Sequence, residues 1–185
     1  VMNVKNPSGF KKKPKNPIEN VSWYDAVLFC NKLSDLFGLD RYYTITEDGK
    51  IIDTIEPNKD YVVKMDGDSK GFRLPTEWEW EYAAKARTPL EYSGSNDHKE
   101  VAWYMADSKM KTQPVKQKKS NAWGFYDMSG NVMEWCSDQY ADYRLDQKNK
   151  KDPKGADRSS LFVLRGGSWK SPRNECRVAA RSENG

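Results

Sequence analysis

The three cysteines are the residues of this chain best suited to covalent chemistry. Cys30, Cys136 and Cys176 are far apart in the sequence, and no two have the CxxC spacing of a structural zinc site. Cys30 falls on the apolar stripe of a predicted helix, and Cys176 precedes a stretch that alternates as a strand does. This pattern favours buried structural thiols. Two alternatives stay open: a nucleophile pair of Cys176 with His98, the single histidine, and a Cys30–Cys176 disulfide in an exported protein.

The stretch YDMSGNVMEW has the oxygen-bearing side chains that a hard cation needs. It places Asp127, Ser129, Asn131 and Glu134 around Gly130. Calcium takes about six to eight oxygens, several of them carbonyls of a sharply turned loop. The sequence therefore predicts a candidate calcium segment. The alternative is an Asx turn leading into a strand, with Glu134 hydrogen-bonded or paired to an arginine.

The C-terminal stretch RGGSWKSPRNECRVAAR follows a Gly-Gly turn with short polar and charged residues. Tryptophan and arginine are favoured anchors of binding surfaces, whereas serine and asparagine supply adaptable hydrogen bonds. The sequence thus predicts a ligand-binding surface. Its candidate residues are Trp169, Lys170, Ser171, Arg173, Asn174, Glu175, Arg177, Ser182, Glu183 and Asn184. The structural alternative is that Arg165 and Arg177 pair with core carboxylates such as Glu134 or Asp138.

Two helices are predicted to position these segments. Ser22 with Asp25, and Thr76 with Glu79, have the spacing of capping boxes that begin helices. Gly38 suits the end of the first helix. The apolar face predicted for that helix consists of Trp23, Ala26, Val27, Cys30, Leu33 and Phe37.

The remaining elements are predicted to be short strands. Asp-Gly dipeptides between β-branched residues indicate hairpins within residues 41–71, where DGDSKG is predicted to be a plain turn. The acidic residues Glu77, Glu79 and Glu81 suit the positive end of a helix dipole better than acid catalysis. Beyond residue 88, short aromatic runs alternate with Pro, Gly, Asn and Asp, which predicts short strands joined by long loops. Together these patterns predict one α+β domain over residues 1–185.

Composition limits the possible function classes. The chain has 185 residues, a net charge of +4, seven Trp and ten Tyr, so it is too aromatic to be disordered. The balanced charge argues against a nucleic-acid partner, and the basic residues 109–119 are predicted to form a solvated loop. No apolar run reaches the roughly 20 residues of a membrane helix. Because the chain starts at Val1, we expect it to be part of a longer protein.

Five blocks occur in an order that resembles one known family. They read NPS.F, PIENVSWYDAVLFCNKLS, FRLPTEWEWEYAAKA, NAWGFYDMSGNVMEWCSD and VLRGGSW....CRVAAR, and they span residues 6–181. They are similar to the formylglycine-generating enzyme, or sulfatase-modifying factor, family. The resemblance implies a C-type-lectin-like fold. It also implies a calcium site formed by the side chains of Asp127 and Glu134 and by the carbonyls of Ser129, Gly130 and Val132.

The chemistry that the resemblance implies is copper-dependent oxidation of a substrate cysteine to formylglycine. That reaction needs two cysteines just after the Gly-Gly-Ser block, because a thiolate pair selects copper(I). Here the window is shorter and holds only Cys176, while Ser171 stands near the position of the first cysteine. No copper is therefore expected. A second branch forms sulfur–carbon bonds with iron held by several histidines, and this chain has only His98.

A third branch of the family has no chemistry and displays a variable ligand-binding surface, as in diversity-generating retroelement systems. There the variation lies after RGGSW, which corresponds here to residues 169–184. The favoured function is accordingly a non-catalytic, monomeric binding protein for a protein or other macromolecule. A display role implies the cell surface or another exported location, with a lipid anchor as one option, and otherwise the cytoplasm. The alternatives are a formylglycine-generating-type oxidoreductase and a module of a larger enzyme.

Overall fold

The computed structural model describes residues 2, 6–11, 13–141 and 161–184. The chain divides into two compact units. The first unit comprises Val1–Pro7 and Asn20–Leu74, and the second comprises Ser8–Glu19 and Pro75–Gly185. The organisation of residues 1–185 as one domain stays a prediction. In the described ranges, no helix is long and apolar enough to cross a membrane.

Helix α1 of the first unit, Trp23–Leu36, begins where its capping box predicts. The Asp25 backbone N–H donates to Ser22 Oγ at 3.1 Å, and the Ser22 N–H donates to Asp25 Oδ2 at 2.9 Å. These bonds satisfy two N–H groups that a helix start otherwise leaves without partners. The helix ends before Gly38, whose φ of +66° suits glycine.

The buried face of α1 is only partly the predicted one. Trp23, Val27 and Cys30 are buried, but Phe37 is 64% exposed because it follows the last helical residue. The C-terminal part of the buried face is polar. Asn31 exchanges two hydrogen bonds with the Tyr43 backbone, at 2.8 and 3.2 Å. A hydrophobic pattern cannot reveal a buried position whose side chain binds the backbone of a neighbouring strand.

A three-stranded antiparallel sheet completes the first unit. Its strands are β1 (Tyr43–Glu47), β2 (Lys50–Ile51) and β3 (Val62–Met65), in the order β2-β1-β3. The turn between β1 and β2 has positive φ at Asp48 (+49°) and Gly49 (+75°), as two-residue hairpins require. The predicted hairpin is therefore confirmed.

The second unit packs a helix on another three-stranded antiparallel sheet. Helix α2 (Glu77–Lys85) starts at the predicted Thr76 capping box, and a short helix α3 spans His98–Val101. The sheet contains β4 (Glu134–Gln139), β5 (Phe162–Arg165) and β6 (Arg181–Asn184), in the order β4-β5-β6. All four β5 residues are buried. Helices and short strands in this arrangement confirm the predicted α+β class.

The described part of this unit contains fewer strands than predicted. The runs VAWYMAD and AWGFYDM form turns with isolated contacts, and CRVAAR is not a strand either. Its backbone groups bond in other directions: the Val178 N–H donates to the Glu91 carbonyl, and the Ala180 N–H donates to the Arg177 carbonyl. The last strand begins only at Arg181.

A buried arginine joins the elements of the second unit. The Arg165 side chain is fully buried at the end of β5. It donates to Glu77 Oε1, to Glu81 Oε2 at 2.6 Å and to the Val178 carbonyl at 2.6 Å. Its two carboxylate partners are thus on α2. The predicted pairing of Arg165 with core carboxylates is confirmed, but the partners are Glu77 and Glu81 and not the suggested Glu134 or Asp138.

Glu77 receives a second arginine. Arg181, at the start of β6, donates to Glu77 Oε1 at 2.6 Å and to Oε2 at 2.8 Å. The acidic residues of α2 therefore do more than favour the helix dipole. They connect the helix to both strands that flank the C-terminal loop.

Replacing Arg165 with Ala should lower the free energy of unfolding by about 3–5 kcal/mol, because two carboxylates then lose a buried partner. Arg41→Ala is the matched control. Arg41 also binds two carboxylates, Asp35 and Asp53, but at a partly exposed site. Its loss should cost less than about 1 kcal/mol. Urea denaturation of both variants measures the difference, and equal losses would contradict a special role for the buried network.

Candidate functional site

The C-terminal loop leaves β5 through two glycines with positive φ, Gly166 (+90°) and Gly167 (+69°). A Cβ atom on Gly167 would stand 2.8 Å from Cys176 Sγ and 2.9 Å from the Glu175 carbonyl oxygen. Only glycine fits so close an approach. The Gly-Gly turn therefore brings the loop back against its own later residues.

Hydrogen bonds fix the backbone of this loop. The Trp169 N–H donates to the Asn131 carbonyl at 2.8 Å, and Ser108 Oγ donates to the Trp169 carbonyl at 2.6 Å. The Met105 N–H donates to the Ser171 carbonyl at 3.0 Å. Contacts to two separate segments, residues 105–108 and Asn131, hold the loop in one shape, so its exposed side chains project from a fixed base.

A 3₁₀ helix, Arg173–Cys176, divides the loop into an inner and an outer side. Cys176 is fully buried and packs with Tyr92, Val101, Ala102 and Tyr104. Arg173, Asn174 and Arg177 are exposed, and Glu175 is half-buried. The apolar sulfur points inward and the charged groups point outward.

The outer side forms one wall of a polar pocket of about 390 Å³. Arg173, Asn174 and Arg177 line this wall, and the opposite wall is Glu91, Tyr92, Asn96 and His98. Sequence reasoning missed the second wall because it lies far away in the chain. The available signal was the polar, turn-rich stretch EYSGSNDH, which contains the single histidine.

The other predicted surface residues lie elsewhere. Ser171 is buried, with its Oγ 3.3 Å from Ser168 Oγ, and the Trp169 ring packs edge-on against Phe10 at 5.7 Å. Lys170 is exposed but does not line the pocket.

The last three predicted surface residues are part of the sheet. Ser182, Glu183 and Asn184 lie on β6, and their partners on β5 are Leu164, Val163 and Phe162. Each step along β6 therefore leads away from the Gly-Gly turn by about 3.4 Å.

All three cysteines are buried. Burial raises the pKa of the Cys176 thiol to about 12 and that of Cys30 to about 11, and it raises the pKa of Cys136 as well. His98 Nε2 lies 3.0 Å from the Tyr104 hydroxyl, whereas Cys176 Sγ is 3.9 Å from the Pro172 carbonyl. The geometry favours structural thiols, and it lacks the thiol–imidazole hydrogen bond of an activated nucleophile.

The candidate calcium segment turns sharply just before β4. Asp127, Gly130 and Asn131 all have positive φ, and a Cβ atom on Gly130 would stand 2.3 Å from the Trp103 carbonyl oxygen. Asn131 is buried and exchanges hydrogen bonds with the Gln113 backbone at 3.0 and 3.1 Å. Its side chain therefore supports the turn.

The two acidic residues of this segment are differently placed. Asp127 Oδ2 accepts from the Lys116 backbone N–H at 2.8 Å, and Glu134 Oε2 accepts from the Trp80 indole N–H at 2.6 Å. Burial, with a smaller contribution from the charge of Asp127, raises the pKa of Glu134 to about 7. The structural alternative predicted Glu134 to be hydrogen-bonded or paired to an arginine, and the described contact is the hydrogen bond from Trp80.

The donors in this segment are oxygens, the ligand type that a hard cation prefers. Among the described residues no group of three or more His, Cys, Asp or Glu side chains could hold a metal ion. A site would therefore need backbone carbonyls beside the two carboxylates, as Ser129, Gly130 and Val132 could supply. A hard cation would offset the charge of the half-buried Glu134 carboxylate, whose described donor is the neutral Trp80 indole.

Comparison with known proteins gives consistent matches over the whole chain. A family model described as "Sulfatase-modifying factor enzyme 1-like domain" matches residues 2–185. The chain is similar to the solved structure of Treponema denticola variable protein 1, with a TM-score of 0.88 and 40% identity over 97% of this chain and 72% of that one. It is also similar to the crystal structure of CarF, with a TM-score of 0.72 and 30% identity over 94% of this chain and 64% of that one.

Curated relatives carry several different names. The "Chaperone protein LppX" of Paenibacillus barcinonensis is 36% identical over 94% of this chain and 66% of its own length. The "Formylglycine-generating enzyme" of Streptomyces coelicolor is 36% identical over 62% of this chain and 42% of its own length. The chain spans less than two thirds of either relative.

Thiol labelling tests the burial of the cysteines. Because only exposed thiolates react quickly, we expect almost no labelling by iodoacetamide at pH 8 in the native protein. In denaturant, all three cysteines should react. Mass spectrometry locates the labelled residues. Rapid native labelling of Cys176 would contradict the closed loop and restore thiol chemistry as an option.

Proposed function

The chain belongs to the sulfatase-modifying factor enzyme 1-like family, and within it we propose a ligand-binding protein that has no oxidase activity. Its fold is the α+β, C-type-lectin-like fold of formylglycine-generating enzymes, as predicted from the sequence. Family membership provides the scaffold, whereas function depends on the site that the scaffold carries.

One observation carries this proposal. The 3₁₀ helix and the Arg177 that follows it place Arg173, Asn174 and Arg177 at a polar pocket, while Cys176 is buried in the apolar cluster. An oxidase loop would need the reverse arrangement, with a thiolate at the surface and a second thiolate beside it. A binding surface needs polar and charged groups on a fixed backbone, which this loop provides.

The finer proposal is that residues 169–184 vary between copies of the protein, as in variable proteins of diversity-generating retroelements. The likeness to Treponema denticola variable protein 1 supports it. A further support is that the loop holds its shape through backbone groups, which persist when side chains change. A display role of this kind implies export to the cell surface.

A formylglycine-generating-type oxidoreductase is the second candidate. The relatives of that name favour it. Cys176 is the only cysteine in the loop, and its burial and raised pKa argue against it as a copper ligand. Incubation with copper and a reduced cysteine peptide of sulfatase type tests this candidate. Formation of a peptide aldehyde would overturn the binding-only proposal.

We also propose that the segment around Asp127 and Glu134 binds calcium, with carbonyl ligands from Ser129, Gly130 and Val132. The support is the raised pKa of the Glu134 carboxyl and the nearby negative charge of Asp127. The segment precedes β4 directly and its Gly130 N–H donates to the Gly166 carbonyl at 2.7 Å. A bound cation would therefore stabilise the base on which the C-terminal loop rests.

Sequencing the gene in a growing population of the source organism tests the variable surface. Substitutions should concentrate at the exposed positions Lys170, Arg173, Asn174 and Arg177. They should be absent at buried positions such as Cys176, because a changed volume there destabilises the core by about 1–3 kcal/mol or more.

The pattern of variation makes this test specific. Random mutation would also change codons before Gly166. The substitution rate in the loop codons must therefore exceed the substitution rate in the codons for β5, Phe162–Arg165. A loop that does not vary at all would overturn the variable-surface proposal, and the peptide oxidation assay would then decide between the remaining candidates.

Calcium addition tests the cation proposal through stability. At a calcium concentration about one hundredfold above Kd, binding to the folded state alone adds about 2.7 kcal/mol. The melting temperature should rise for the wild type and should not change for Glu134→Gln, whose amide oxygen can still accept from Trp80. Asp68→Asn, in the other acidic turn, is the control and should keep the full shift. An unchanged wild-type melting temperature would refute the site.

A further inference from the structure

We propose that the pocket between residues 91–98 and 173–177 binds an oxyanion group of the ligand, a carboxylate or a phosphate. This inference rests on the proposed binding function and specifies the chemistry that the surface recognises. It concerns the pocket of about 390 Å³ alone, and not the rest of the loop.

The two arginines of the pocket supply the positive charge. Among the described residues neither Arg173 nor Arg177 forms a salt bridge, in contrast to Arg165, Arg181 and Arg41. Arg177 Nε donates to the Asn174 carbonyl at 2.9 Å, which directs its side chain and leaves the outer N–H groups for a ligand. A guanidinium group with a held stem and available donors matches the geometry of an oxyanion.

Neutral donors surround the arginines. Asn96 Oδ1 accepts from the Glu91 N–H at 2.9 Å, so the amide NH₂ of Asn96 points away from the Glu91 N–H. Tyr92 is buried and lines the pocket, and its phenol hydroxyl is a donor at neutral pH. A negatively charged oxygen would thus find donors on both walls of the pocket.

The charge balance favours an anion. Among the described residues that line the pocket, Glu91 is the single carboxylate, and Arg173 and Arg177 supply two guanidinium groups. The pocket therefore has one positive charge in excess, even with His98 neutral. An anion entering this space offsets that excess, whereas a cation would add to it.

The walls are held together before any ligand binds. The Val178 N–H donates to the Glu91 carbonyl at 2.9 Å, which joins the end of the C-terminal loop to residues 91–98. Tyr92 and Ser95 exchange backbone hydrogen bonds at 3.1 and 3.3 Å. A preformed pocket loses little conformational entropy on binding, so even a small anion should bind measurably.

Titration of the ¹⁵N-labelled protein with sodium phosphate and, separately, with sodium acetate tests the inference at constant ionic strength set with sodium chloride. We expect saturable chemical-shift changes at His98, Asn174 and Arg177 with at least one of the two anions. Saturation with phosphate alone would identify a phosphate site, and saturation with acetate would identify a carboxylate site. Linear changes with both anions, equal to those with chloride, would overturn the proposal.

Variants locate the binding in the pocket. Arg173→Gln and Arg177→Gln should each weaken binding by about tenfold, the effect of losing a hydrogen bond to a charged group. Arg87→Gln removes the same charge from an exposed site in the same unit and should leave the affinity unchanged. Equal weakening by Arg87→Gln would mean that net charge alone attracts the anion, which would refute the pocket.

A gain of affinity provides a check that misfolding cannot imitate. Glu91→Gln removes the one carboxylate of the pocket and should tighten anion binding by about threefold. Weaker binding in this variant would contradict the proposed charge balance.

The outcome separates the inference from the proposed function. Variation at Arg173 and Arg177 in the population without anion binding would leave the variable surface standing and refute the pocket. Anion binding without any variation in the population would support the pocket and refute the variable surface.

Discussion

The buried guanidinium of Arg165 is the interaction on which the second unit depends. A charge that is removed from water must be compensated, because an isolated buried ion costs several kcal/mol. Glu77, Glu81 and the Val178 carbonyl provide that compensation, and the Trp80 ring lies 5.1 Å from the guanidinium carbon. The compensation is possible only when α2 lies against β5 and the chain after the C-terminal loop returns to the same place. One electrostatic requirement therefore specifies the relative position of helix, strand and loop.

The same requirement also fixes both ends of the C-terminal loop, whatever side chains its exposed positions carry. Arg165 precedes the Gly-Gly turn and Arg181 begins β6, and both bind Glu77. The loop is thus anchored at each end to one carboxylate of α2. Between the anchors its backbone binds Asn131, Met105 and Ser108. None of these contacts uses the exposed side chains, so the position of the loop does not depend on which exposed side chains it carries.

The sequence was sufficient wherever the determining interactions are local. Capping boxes at Ser22 and Thr76 act over three residues, and the Asp48-Gly49 turn is set by its own backbone angles, so all three were predicted correctly. Contacts between residues far apart in the sequence were not predicted correctly. Arg165 binds a carboxylate 88 residues earlier, and any of several acidic residues could have taken that place. The second wall of the pocket was missed for the same reason. The order of the five family blocks predicted the fold because it reflects the whole chain at once.

The division of the 3₁₀ helix into a buried and an exposed side has a consequence for evolution. Stability is a threshold property, and a protein fails when many small losses add up. Exposed positions that share no core contact each change stability by less than about 0.5 kcal/mol. At Arg173, Asn174 and Arg177, combinations of residues can therefore be sampled with little risk of unfolding, while Cys176 holds the base. The number of tolerated sequences is the product of the choices at each site, so a short helix gives access to many surfaces at nearly constant stability.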